Sequence, residues 1–270
     1  MKRPSPRTLP ALVFALAALP AATAPALAAG GAAERYPPEH QATRDLIALV
    51  ADAGALVTEK GSKEACLEFS REGSRWRQGE RYVFLVDLEG NALCHPAKPT
   101  LEGRSVLDLH DPHGNPIVAN FLRDVAGGRQ EGWEHYLWPV PGQNTFYWKT
   151  SYVRRAGTPD GREVVVGSGD YQMKTERFFI VDKVDQAAEL IEKQGEAAFP
   201  ELRSKSGGFR FYDSYVFVMD AASGVHLVNA AFPENEGKNL LDLQDANGKV
   251  IGREMLAVLA DHDSGWIDYI

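Results

Sequence analysis

The sequence has only two cysteines, and after its first 28 residues it has no apolar run long enough to cross a bilayer, which takes about 20 apolar residues. GxSxG, HExxH, phosphate-loop and GxGxxG motifs are absent, and so is a CxxC pair. Their absence removes the usual signatures of serine hydrolases, zinc peptidases, nucleotide-binding enzymes and structural zinc sites. We therefore expect a protein that is not an enzyme and holds no metal or cofactor.

An excess of basic charge is also missing, since the net charge is −8. If the first 28 residues are removed, three of the 29 Lys and Arg residues go with them, and 37 Asp and Glu residues remain. This balance argues against nucleic acid and anionic membrane surfaces as partners.

The first 28 residues have the pattern of a secretory signal. A basic start and an apolar run lead to the small-residue sequence Ala26-Leu27-Ala28. Prolines at positions 10, 20 and 25 interrupt the run, which favours a cleaved signal over a membrane anchor. We expect a signal peptide over 1–28, a linker over 29–39, and a periplasmic or secreted protein. The protein stays membrane-anchored only if the signal is uncleaved or the chain is a fragment.

The chain contains an internal repeat. Residues 82–138 return as 215–270, with Trp133 aligned to Trp266 and a period of roughly 133 residues, which suits a duplicated globular domain. We expect a first domain over 40–174 and a second over 175–270. The first copy continues for roughly 35 residues past its repeated segment and the second does not, so we expect the second domain to lack the last two strands.

Periodicity predicts an α+β fold. Helices are predicted over 40–60 and 181–193, and a short helix follows Asn115 as N-cap and Pro116, ending at Gly127-Gly128. Alternating segments predict five strands in the first copy, over 81–88, 91–95, 134–138, 145–154 and 163–172. Each copy should therefore begin with a long helix, followed in the first by a five-stranded antiparallel sheet with flanking helices.

Four segments in the same order, YVFLVDLEGNALCHP, EGRSVLDLHDPHGNP, EGWEHYLWPVPG and KTSYVRR, resemble the Cache domain family, specifically the single Cache type 2 domain of bacterial extracytoplasmic sensors. The resemblance covers about 60–172 throughout and 200–270 as the front half of a second copy. It implies a PAS-like sheet whose last strand lies beside the first. It also implies binding of small metabolites, often short-chain carboxylates, without catalysis, in proteins related to chemoreceptors and histidine kinases.

Lys149 is the principal candidate for binding a small organic anion. It lies in FYWKTSY, where strand alternation puts Tyr147, Lys149 and Ser151 on one face. An ammonium group backed by apolar walls binds a carboxylate well, although a lysine on the solvent face of a strand fits the same pattern. Further candidates, each of which could equally be a core or surface residue, are Trp133, Tyr136, Trp138, His95 and Tyr152. Asp170 and Tyr171 are weaker candidates from the last strand.

Two other patterns each allow two interpretations. Cys66 and Cys94 could form a disulfide outside the cytoplasm or be buried thiols. The DxxDxxG sequences beginning at Asp108 and Asp242 suggest calcium but lack the alternating oxygen ligands of an EF-hand loop, so Asx turns explain them better.

The sequence therefore predicts an extracytoplasmic sensor module that binds a small carboxylate and acts through a membrane sensor kinase, a chemoreceptor or a missing output region. The alternative is a non-catalytic periplasmic protein that assembles, for example as a homodimer, through its unfinished second sheet.

Overall fold

The computed structural model describes residues 32–126 and 129–270. The predicted signal peptide and the predicted helix stop at Gly127-Gly128 lie outside the described residues. The helices are α1 (Ala32–Arg35), α2 (Gln41–Lys60), α3 (Ser62–Ser70), α4 (Ile117–Asp124), α5 (Arg177–Gln194), α6 (Phe199–Arg203) and α7 (Ile251–Asp261). The strands are β1 (Arg77–Gln78), β2 (Arg81–Asp87), β3 (Ala92–Cys94), β4 (Glu131–Pro139), β5 (Phe146–Gly157), β6 (Glu163–Tyr171), β7 (Arg210–Phe211), β8 (Ser214–Tyr215), β9 (Phe217–Met219) and β10 (His226–Asn229).

The chain divides into two compact units. The first is Pro38–Glu176, and the second combines residues 32–37 with Arg177–Ile270. Part of the predicted linker is thus helical: α1 belongs to the second unit, where Arg35 forms an ion pair with Asp185. No helix within 32–126 or 129–270 is both long and apolar enough to span a bilayer.

The first unit is built on one antiparallel sheet in the order β1-β2-β6-β5-β4, with β3 also paired to β2. The last strand, β6, lies between β2 and β5, as the family resemblance implied. The predicted α+β class is confirmed, with the two-residue β1 added to the five predicted strands.

Helices cover both faces of this sheet. Apolar residues at helical spacing bury one side of α2 against β5 and β6. The helix ends at Gly61, whose φ of 83° is easily adopted by glycine. On the opposite face, α4 contributes Ile117, Val118 and Phe121 to a cluster with the side chains of β2, β4 and β5. The N-cap of α4 is Pro116 rather than the predicted Asn115, because the Asn115 side chain instead accepts a hydrogen bond from Asn120.

The second unit repeats the front of the first. Its hairpin β9-β10 matches β2-β3, and α7 matches α4. In both copies the hairpin turn needs a glycine, because a Cβ added at Gly90 or Gly224 would lie 2.4 or 2.2 Å from a leucine side chain. Within the described chain β9 pairs only with β10, whereas β2 also pairs with β6.

The DxxDxxG loops also match between the copies. Asp111 accepts backbone hydrogen bonds from His113, Asn115 and Leu137. Asp245 accepts the corresponding bonds from residues 247, 249 and 270. These carboxylates therefore hold the turn, as the Asx-turn interpretation predicts, and Asp111 also bonds to Leu137 in β4.

Candidate functional site

A small cavity lies in the first unit between the sheet and α4. Its volume is about 30 Å³. The lining residues are mostly aromatic and aliphatic, with few polar groups, and include Tyr82, Phe84, His95, Phe121, Tyr136 and Trp138. One ordered water needs roughly 10–15 Å³, so this space suits a ligand of few heavy atoms once the walls adjust slightly.

The Lys149 side chain is buried beside this cavity and is 0% exposed. Its Nζ lies 4.0 Å from the centroid of the Tyr82 ring and 5.4 Å from that of Tyr171. No hydrogen-bond acceptor reaches this nitrogen from the residues that the structure describes. Burial lowers the pKa of Lys149 from 10.5 to about 7, and the charge of Asp170 opposes this shift only in part. An ammonium group that lies against aromatic rings and has no hydrogen-bond acceptor among the described residues is well suited to an incoming anion.

The register of three strands puts Lys149 on the cavity side. Lys149 lies opposite Tyr136 on β4 and opposite Tyr171 on β6, so these side chains share one face. Gly169 on β6 makes room for them, because a Cβ there would lie 2.3 Å from Ser151 Oγ and 2.9 Å from Lys149 Cε. The face predicted by alternation is therefore a buried one.

Hydrogen bonds orient the aromatic side chains of the cavity. The Tyr136 hydroxyl and Ser151 Oγ are 2.8 Å apart, and Trp138 Nε1 donates to the Tyr82 hydroxyl at 2.9 Å. Burial raises the pKa of the Tyr136 hydroxyl well above its usual 10. Tyr136 therefore remains a neutral hydrogen-bond donor at physiological pH.

His95 forms another part of the wall. Its ring lies 5.0 Å from that of Tyr82 and 6.0 Å from that of Trp138, centroid to centroid. The Nδ1 atom is buried without a hydrogen-bond partner among the described residues. Burial, assisted by the positive charge of Lys149, lowers the pKa of His95 to about 3, so the ring is neutral at pH 7. The cavity thus has a neutral imidazole in its wall, and a titratable ammonium group lies against the Tyr82 ring that lines it.

Trp133 and Tyr152 are not brought to this cavity. They lie opposite each other in the β4-β5 register, with ring centroids 4.8 Å apart. Each is an odd number of residues from Tyr136 or Lys149 along its strand, so alternation puts both on the other face, which packs on α2. Asp170 also lies on that face and forms an ion pair with Arg81. We therefore leave Trp133 and Tyr152 out of the site.

Several residues of the site were missed in the sequence. Tyr82 and Phe84 come from β2, and Gly169 comes from β6. The alternation of Tyr82, Phe84 and Val86 shows that they share a face but not what lies opposite. The sequence Gly167-Ser168-Gly169 was the available signal, since two glycines on one face of a central strand indicate close packing above it.

Cys66 and Cys94 form a disulfide, with a sulfur–sulfur distance of 2.05 Å. The bond joins α3 to β3, and Cys94 lines the cavity. Glu102 lies beside the two cysteines, the one group of potential metal ligands among the described residues. Both sulfurs are in the disulfide. The Glu102 carboxylate accepts a hydrogen bond from the His95 backbone N–H at 2.7 Å, so these three side chains hold β3 in place.

An antiparallel sheet with a small, mostly apolar cavity on one face is typical of domains that bind small molecules. Comparison with known proteins identifies the family. A Cache domain model matches residues 49–196 and again 196–270, so the chain belongs to the Cache domain family. The two matches confirm the internal repeat, with the second shorter than the first.

Two relatives match about a third of the chain. The chain is 32% identical over 90 residues to the sensor histidine kinase MctS of Rhizobium johnstonii, covering 33% of this chain and 18% of that protein. It is 36% identical over 92 residues to the methyl-accepting chemotaxis protein McpP of Pseudomonas putida, covering 33% of this chain and 16% of that protein. The chain therefore matches less than a fifth of the length of these relatives.

Solved structures give partial matches. A Cache chemosensory domain studied for carboxylic acid recognition is 27% identical with a TM-score of 0.42, covering 49% of this chain and 94% of that one. The periplasmic sensor domain of a chemotaxis protein is 28% identical with a TM-score of 0.39, covering 52% of this chain and 97% of that one.

Proposed function

We propose that this protein is an extracytoplasmic, non-catalytic sensor whose first unit binds a small monocarboxylate at Lys149. The observation that carries the proposal is the Lys149 ammonium group, which is fully buried and has no acceptor among the described residues. A buried charge without a partner is costly for the fold. A site that keeps such a group is best explained by a ligand that supplies the missing negative charge.

The carboxylate would replace the aromatic contact of Lys149 with an ion pair. Lys149 Nζ lies against the Tyr82 ring, which itself lines the cavity, so a small turn of this ring brings the ammonium group and the ligand together. Tyr136 offers its hydroxyl as a second donor. A hydrogen bond to a charged group contributes about 1.5–3 kcal/mol, so loss of Lys149 should weaken binding by roughly 10- to 100-fold.

The lining of the cavity sets the kind of ligand. Phe84, Phe121 and Trp138 surround the space with apolar surface, which suits the alkyl end of a monocarboxylate. A second carboxylate would be buried there without a cation, which is unfavourable. The ligand should therefore have one acidic group and a short chain.

The output would come from another part of the system. The matched relatives are a sensor histidine kinase and a chemotaxis protein. We infer that the protein passes its ligand-bound state to a membrane sensor of that kind, or to an output region joined to the chain. A signal peptide over residues 1–28, as the sequence predicts, would deliver the protein out of the cytoplasm.

Isothermal titration and thermal shift with formate, acetate, propionate and succinate test the proposal. We expect acetate or propionate to bind and to raise the melting temperature, and succinate to do so weakly or not at all. Lys149→Met should abolish the shift, while Lys60→Met, which removes an exposed lysine at the end of α2, should leave it unchanged. Equal binding by wild type and Lys149→Met would rule out the site.

The alternative of assembly through the second unit rests on β9, which pairs on one edge only within the described chain. An open strand edge can accept another strand. Sedimentation at several protein concentrations, with and without acetate, decides between the two. A dimer that forms regardless of acetate, from a protein that shows no thermal shift, would favour assembly.

A further inference from the structure

We propose that the Cys66–Cys94 disulfide is a positioning element for the ligand cavity, because it fastens the β3 wall of the cavity to helix α3. This inference rests on the function proposed above for the cavity itself. Removing the disulfide should loosen the wall and weaken the binding of a carboxylate, even though the unit remains folded.

The β3 strand is weakly held by its own pairing. It has three residues, and its register with β2 consists of Leu85 opposite Cys94 and Val86 opposite Ala92, with an irregularity between them. Ala92 and Cys94 both line the cavity. A short strand of this kind frays easily unless something else ties it down.

The disulfide ties β3 to a firm base. Helix α3 packs against both β2 and β3, and its Ala65 and Phe69 side chains are fully buried. Cys66 lies between them on the same helix. Because α3 is firmly packed, the covalent bond also holds Cys94 in place in the cavity wall, where it is 0% exposed.

The second unit shows that the hairpin does not need this bond. Val228 occupies the position of Cys94, and it is also 0% exposed. The residues that follow correspond as well, since the backbone N–H of Asn229 donates to Glu236 as that of His95 donates to Glu102. β9 and β10 pair without any disulfide. The hairpin fold therefore does not require the disulfide, and the disulfide occurs in the copy that contains Lys149.

His95 connects the β3 wall of the cavity to the surroundings of Lys149. It directly follows Cys94, and its ring lies among Tyr82, Phe84 and Trp138. The charged groups near it are Lys149 and Lys98. If β3 moves away from β2, the His95 ring becomes hydrated and the aromatic wall beside Lys149 opens.

The double variant Cys66→Ala/Cys94→Val, which copies the second unit at position 94, tests the proposal. Nuclear magnetic resonance of the His95 ring gives a readout that does not depend on any ligand. In the wild type we expect no titration of His95 between about pH 5 and 8, whereas in the variant it should titrate near the ordinary value of about 6.5. The dissociation constant for acetate, measured by titration calorimetry, should rise at least about tenfold.

Val166→Ala is the matched control. Val166 is 0% exposed but faces α2, where its Cγ1 lies 3.6 Å from a Cβ built on Gly54. This variant should lower the melting temperature. Its His95 should still not titrate between about pH 5 and 8, and its acetate affinity should stay within about twofold of the wild-type value. The proposal is overturned if the double variant fails to fold, or if its His95 remains untitrated. If the wild type binds neither acetate nor propionate, the proposed function fails, while the His95 titration still decides the role of the disulfide.

Discussion

Replacing Lys149 by methionine should make the unliganded protein more stable and at the same time insensitive to ligand. Burial lowers the pKa of Lys149 from 10.5 to about 7. At about 1.36 kcal/mol for each pH unit, the buried lysine costs the folded state roughly 5 kcal/mol at and below pH 7. The lost contact with the Tyr82 ring offsets roughly 1–2 kcal/mol of this. We therefore expect the variant to gain about 3 kcal/mol at pH 7.

The stability difference between the wild type and Lys149→Met should depend on pH. Between pH 7 and 10.5 the unfolded chain binds a proton at Lys149 that the folded chain does not, so the contribution of Lys149 to wild-type stability improves as pH rises. The methionine variant lacks this rise. Its advantage over the wild type should therefore be largest at and below pH 7 and should shrink by about 1.4 kcal/mol for each pH unit above it.

Urea unfolding of both proteins at about pH 6.5, 8 and 9.5 measures this difference. The titrations should follow the unfolding transition of the first unit, because the chain has two units and is not expected to unfold in a single step. A methionine variant that is less stable than the wild type at about pH 6.5, or a stability difference that does not change with pH, would contradict this prediction.

Other predictions follow from the same residues. Acetate affinity should fall as pH rises above 7, by up to about tenfold for each pH unit, because the ligand binds the protonated form of Lys149; calorimetry across pH measures this, and a flat profile would contradict it. Ser151→Ala should cost about 1 kcal/mol and weaken acetate binding, because the Tyr136 hydroxyl loses the partner that orients it; Tyr136→Phe in the same background should then have little further effect. Asp111→Ala should destabilise the first unit by roughly 2–4 kcal/mol, because three backbone N–H groups lose their acceptor. Asp245→Ala should destabilise the second unit less, as differential scanning calorimetry of the two transitions would show, and equal effects would refute the comparison.

The fold was largely readable from the sequence, because its main signals are local or repeated. The helical periodicity that ends at Gly61 and the repeated hairpin glycines at 90 and 224 each have a direct physical cause in the structure. The placement of β6 in the middle of the sheet came from the family resemblance. Local pattern alone does not reveal it, because it depends on pairing between strands about 80 residues apart.

The site was only partly readable, because it depends on which face of each strand meets the cavity. Alternation puts Lys149 and Ser151 on one face, and the odd spacing of Trp133 and Tyr136 puts those two side chains on opposite faces. Tyr82 could not be assigned, since its role next to Lys149 follows from β6 lying between their strands. The burial of Lys149 also needed the three-dimensional register, because lysine side chains are mostly exposed and the aromatic neighbours alone do not show that this one is buried.

The most direct test of the central claim is the pKa of the Lys149 ammonium group itself, measured by nuclear magnetic resonance of labelled lysine side chains with and without acetate. Comparison with Lys149→Met identifies the signal. We predict a pKa of about 7 for Lys149 in the free protein and a rise of at least about one pH unit when acetate binds, because the carboxylate stabilises the charged form. A Lys149 signal that titrates near its ordinary pKa, or that does not respond to acetate, would contradict the account.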